Sequence, residues 1–176
     1  MKQDDKPAGP ASAAEHPAAD AAKPQYVADL ETVFGPPSQA AFGSAVFNQA
    51  LDAGAGLETA ALGKYKYFVG DLWERYGEDA WMGPWKEVYA RPAGATADIV
   101  GELRGIKEED AALSTEMILD NVDNAEAARA ALAAVYDDPA VTELRVYTLG
   151  DGEAMSGLLI AGRHGDKAKF LVFLLD

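Results

Sequence analysis

After Pro139 the chain changes its apolar period and keeps the new one to its end. From Thr142 to Leu149 it alternates, with Leu144, Val146 and Thr148 opposite Glu143, Arg145 and Tyr147. A period of two describes a strand with one face turned inward. Gly150-Asp151-Gly152 supplies a turn, Ala154 to Gly162 reads as a second strand, and Gly165-Asp166 supplies another turn. Lys169 to Leu175 is a third strand and nearly all apolar. A continuous apolar run implies burial on both faces, or a central position in a sheet. Turns this short join neighbours, so the three strands form an antiparallel meander.

Before Pro139 the spacing is helical. Ser38 offers an N-cap, and Phe42, Val46 and Ala50 recur at four-residue steps, which predicts a helix over 39–53 ended by Gly54. Leu57, Ala61, Tyr65, Phe68, Leu72 and Tyr76 form a continuous helical stripe, although Gly63 and Gly70 weaken it and Tyr65 to Val69 could instead form a short strand. A helix is expected from Glu108 to Asn121, with Leu113, Met117, Ile118 and Val122 on one face. Asp123 and Glu126 make a capping box for an Ala-rich helix running to Tyr136. Trp81 to Pro92 reads as irregular or partly extended, and Ala97 to Ile106 is ambiguous. The expected class is α+β: N-terminal helices followed by a C-terminal three-stranded antiparallel meander.

Composition bounds the chemistry. The formal net charge of -14 argues against nucleic acid as a partner, because phosphate neutralisation needs clustered Lys and Arg. It also disfavours direct docking on an anionic membrane. With no cysteine there is no disulfide, thiolate zinc site or thiol nucleophile. His16 and His164 are the only histidines, so no site can be built on several imidazoles in the folded part. Gly54-Ala55-Gly56 lacks the Lys of a phosphate loop. Asp120-Asn121-Val122-Asp123-Asn124 lacks the Gly and terminal Glu of a calcium loop. No cofactor, metal ligand or catalytic residue is therefore assigned.

One stretch stands out. Tyr65, Tyr67, Phe68, Trp73, Tyr76, Trp81, Trp85 and Tyr89 hold half of the aromatic residues and every tryptophan. Asp71, Glu74, Glu78 and Asp79 are interleaved with them. Rings beside carboxylates suit sugar stacking or a protein interface, and paired acids could serve a glycoside hydrolase. Rings at helical spacing are also the ordinary material of a core. The candidate binding residues are Trp73, Trp81, Trp85, Tyr89, Asp71, Glu74, Glu78 and Asp79. The hairpin tip Gly150-Asp151-Gly152-Glu153 is a second place where a partner could bind, or simply a solvated turn.

Residues 1–25 are an Ala/Pro-rich tether expected to be disordered, and 26–176 are expected to form a single globular domain. Met1-Lys2-Gln3-Asp4-Asp5-Lys6 followed by Ala, Pro, Ser and Glu resembles the start of a mature bacterial lipoprotein, with Met1 where the lipidated cysteine would stand. That resemblance covers the first 25 residues and names no specific family. It implies a periplasmic, outer-membrane-anchored location, with the membrane reached only through the lipid, and Lys2 fits outer-membrane sorting. The alternative is a cytoplasmic chain with an unstructured N-terminus or a tag remnant.

Three functions follow in order. The first is non-enzymatic binding of a protein partner or small ligand by a cell-envelope lipoprotein. The second is an acidic inhibitor or immunity-type protein that blocks a basic enzyme such as a nuclease. The third is a carboxylate-based hydrolase acting on a glycan.

Overall fold

A computed structural model of the chain describes residues 23–151 and 153–175. All but the last three residues of the expected tether lie outside the described residues. The first helix, α1 (Gln25–Phe34), starts on the carbonyl of Pro24 and leads into β1 (Gly43–Ala50). Three helices follow: α2 (Leu57–Val69), α3 (Asp71–Tyr76) and α4 (Glu78–Met82). After β2 (Lys86–Ala90) come α5 (Ile99–Arg104), α6 (Glu109–Leu119) and α7 (Ala125–Tyr136). The chain ends in β3 (Val141–Gly150), β4 (Ser156–His164) and β5 (Lys167–Leu175).

The fold is α+β, but the sheet has five strands rather than three. Its order is β1-β5-β4-β3-β2, and every pairing is antiparallel. The C-terminal meander supplies the middle, and β1 and β2 close its two sides. The helix expected over 39–53 is therefore corrected to strand β1. Its apolar residues point both ways, with Ala45 and Phe47 on one face and Val46 on the other. A strand buried on both faces loses its alternation, so the spacing of Phe42, Val46 and Ala50 imitated a helix.

Helices cover both faces. Across one face runs the row Val46, Leu171, Ile160 and Val146, from four adjacent strands. It packs under α1, α5, α6 and α7. Across the other runs Ala45, Val172, Leu159 and Tyr147, packed under α2, α3 and α4. Each fully buried large side chain contributes about 1.5–3 kcal/mol. The apolar run of β5 follows directly, since Phe170 and Val172 face one core while Leu171 and Phe173 face the other.

Several helix details differ from expectation. The 25–34 segment, given no element from the sequence, is a helix with Val27, Leu30 and Phe34 buried. In α6 the buried side is Ala111, Ser114, Thr115, Ile118 and Leu119, and Leu113 is exposed. The N-cap of α7 is Asn124 rather than Asp123, its side chain accepting from Ala127 N–H at 3.1 Å. The irregular stretch from Trp81 to Pro92 holds the end of α4 and all of β2, and the ambiguous Ala97 to Ile106 holds α5.

The face under α1 buries an unusual polar group. Lys169 is 1% exposed and lies beside Asn48 across the β1–β5 pair. Its ammonium stands 5.8 Å from the centre of the Tyr26 ring, which also lies 6.2 Å from the His164 ring. Burial first, and then the charge of Lys169, hold the His164 imidazole below its ordinary value, while Asp138 opposes the shift. Burial and then Lys167 likewise lower Lys169.

A lowered histidine makes the folded state the poorer proton binder below about pH 6.5. Stability carried by neutral His164 is thus present above that value and lost as pH falls. Thermal melts between about pH 7.5 and 5.5 should show Tm falling with acid, as His164 removes at most about 1.4 kcal/mol of unfolding free energy per pH unit. His164→Gln should flatten that slope, and an unchanged slope would contradict the assignment.

Candidate functional site

The aromatic quarter is built around Tyr65. Its hydroxyl accepts from Gly150 N–H at 3.0 Å and lies 3.0 Å from the Trp81 carbonyl that it can donate to. Burial, more than any other cause, raises its pKa. Gly150 has a φ of +126°, and a Cβ there would lie 2.1 Å from the Met155 carbonyl oxygen. Only glycine allows that approach, which closes the β3–β4 connection, while the Tyr65 hydroxyl holds the end of β3 against α2.

Rings stack outward from this point. Trp85 lies between Tyr65 and Tyr147, with centroids 5.5 and 4.7 Å away and planes within 15° and 10°. Its indole N–H donates to Glu58 at 3.0 Å. Trp73 meets Tyr65 edge-on at 5.3 Å and stacks on Trp81 at 6.4 Å. Trp81 donates its indole N–H to the Leu72 carbonyl at 3.0 Å. Trp73 and Trp81 are buried and Trp85 is half-buried, so these rings are first of all the core of this face.

Tyr89 belongs elsewhere. It lies toward the opposite face, where its hydroxyl donates to Glu102 at 2.8 Å. Arg91 grips the same carboxylate with two nitrogens, at 2.7 and 2.6 Å. Burial pushes the Glu102 carboxyl up, but the donors Arg91 and Tyr89 outweigh it and hold it below the ordinary range. This is a clamp between β2 and α5. Asp71, Glu74, Glu78 and Asp79 are exposed in the first turns of α3 and α4, where a carboxylate stabilises a helix start.

The predicted helix stripe breaks at Gly70 and again at Gly77, whose φ values are +67° and +88°. L side chains rarely adopt either. The breaks divide the stripe into short helices that keep Trp73 and Trp81 in the core but leave Leu72 half-buried and Tyr76 60% exposed. A groove of about 500 Å³ opens there. Its helical side is Leu72, Tyr76, Ala80 and Trp81, and Phe42 closes one end. Its far side is the β3–β4 connection, with Asp151, Glu153, Ala154 and Met155.

The sequence places Phe42 on a helix face and not among the binding candidates. Phe42 is 40% exposed and follows Ala41, the one non-glycine with positive φ among the described residues, at 71°. Left-handed backbone costs an alanine roughly 1–2 kcal/mol. Such strain gathers where a chain is held in place for a purpose. The Phe68 carbonyl accepts from Ala41 N–H at 2.9 Å and secures the turn.

The groove thus joins two separate sequence features, the aromatic quarter and the hairpin tip. Of the eight candidate residues only Trp81 lines it. Asp151 is occupied within its own loop, since Oδ1 accepts from the N–H groups of Glu153 and Met155 at 2.9 and 3.0 Å. Glu153 is exposed. Among the described residues no three His, Asp or Glu side chains are grouped to hold a metal ion, and no helix is long and apolar enough to cross a membrane. Comparison with protein-family models, with curated proteins and with solved structures finds no match to the chain.

Proposed function

We propose that the protein is a non-enzymatic binding module of the cell envelope, and that it takes its ligand in the groove over Trp81. The observation that carries this reading is the pair Phe42 and Tyr76, large aromatic side chains left in solvent at a groove that Leu72, Ala80 and Met155 also line, above the buried Trp81. Neither is needed to fill a core, and exposed apolar surface around a concavity is the common form of a binding site. Enzymatic carboxylate chemistry has less support. Asp71, Glu74, Glu78 and Asp79 do not line the groove, and Asp151 is tied to its loop. The envelope location rests on the lipoprotein-like composition of residues 1–25.

A neutral solvatochromic dye such as Nile red tests the groove. The protein should blue-shift its emission, and Tyr76→Ser with Phe42→Ser should abolish the shift. Tyr76→Ser should cost no more than about 0.5 kcal/mol in urea unfolding, so lost binding would not reflect lost folding. A blue shift that survives both substitutions would remove the groove from the account. For the location, cells expressing the full gene product should incorporate radiolabelled palmitate into it. Absence of label would remove the lipid anchor.

A further inference from the structure

We infer that the groove's occupant is a peptide segment of a protein partner, carrying an apolar side chain beside a lysine or arginine. This rests on the groove being a binding site and adds the chemistry of what fills it.

The groove does not end at Met155. A second depression of about 250 Å³ lies on its other side, lined in part by Lys86, Glu108, Asp110 and Thr148. Glu153 and Met155 line both depressions. The two depressions therefore adjoin at Glu153 and Met155, one with a mainly apolar lining and the other with a mainly polar one. A ligand that fills both must be apolar in one part and polar in the next.

The carboxylates decide the sign of the polar part. Asp151 is committed to backbone N–H groups of its own loop. Glu108 is half committed, since Oε1 accepts from Ala111 N–H at 2.8 Å and caps α6. Its other oxygen lies 3.5 Å from the Lys86 ammonium, whose side chain is 60% exposed. Glu153 and Asp110 are exposed, and neither carboxylate has a hydrogen bond or ion pair among the described residues. Two free carboxylates and one loosely held therefore face a single cation, Lys86. An exposed pair at that distance is weak and easily exchanged. Lys86 thus occupies the position a ligand's cation would take from it. The overall charge of -14 would steer a basic partner toward the protein and repel nucleic acid or an anionic lipid surface.

Titrations with capped hexapeptides test this, read by tryptophan fluorescence. One carries Leu-Phe flanked by lysines, one Leu-Phe flanked by glutamines, one Leu-Phe flanked by glutamates, and one lysines without Leu-Phe. The lysine–Leu-Phe peptide should bind about tenfold tighter than the glutamine one, the gain expected of two exposed ion pairs. The glutamate and lysine-only peptides should bind more weakly than either. The advantage should shrink when ionic strength rises from about 0.05 to 0.3 M. It should vanish in Glu153→Gln with Asp110→Asn, while the glutamine peptide keeps its affinity. Equal binding of the lysine and glutamine peptides, or binding of the lysine-only peptide as tight as the mixed one, would overturn the inference. If no peptide binds while Nile red still does, the inference falls and the groove remains. If Nile red also fails, both fall.

Discussion

A strand that is apolar on both faces must have a helical layer on each side of it, and β5 imposes that on this chain. Phe170 and Val172 need one cover, and Leu171 and Phe173 need another. The meander is too narrow to stand alone between two layers, so β1 and β2 extend it at either side. The division of helices follows, with α1 and α5 to α7 over one face and α2 to α4 over the other.

The two layers are unequal, and the inequality makes the groove. The layer of α1 and α5 to α7 is reinforced by the Arg91–Glu102 pair and the capped starts of α5, α6 and α7. The other layer has one long helix followed by two of six and five residues, divided by left-handed glycines. Helices so short draw little stability from their own hydrogen bonds. They are held instead by Trp73 and Trp81, stacked within the core, and by the Trp81 indole bond to Leu72. Trp81, fully buried, thus holds the groove's helical wall in place from beneath.

The meander was legible because β3 alternates and because Gly150-Asp151 and Gly165-Asp166 mark its turns. Strand β1 was hidden by burial on both faces, which erased its period. Strand β2 was hidden by its five residues and by a shift in pairing between Glu87 and Tyr89. Helix α1 has no side-chain cap, only the carbonyl of Pro24. For the site, the aromatic density and the hairpin tip were both visible, but nothing local showed that they meet. That proximity depends on Gly150 N–H reaching the Tyr65 hydroxyl across 85 positions. The stripe from Leu57 to Tyr76 also reads as one helix, but Gly70 divides it and Gly77 ends its second part, where Tyr76 stands exposed.

The central claim is that a sheet covered on both faces carries a locally weaker groove wall. Native-state amide hydrogen exchange across a range of low denaturant concentrations tests it directly. Amides of Leu158 to Ile160 and Phe170 to Val172 should exchange only through global unfolding, with the full denaturant dependence. Amides from Asp71 to Met82 should exchange through a smaller opening that depends little on denaturant. Equal protection of both sets would make α3 and α4 part of the core, and local exchange in β4 and β5 would contradict their burial between two layers.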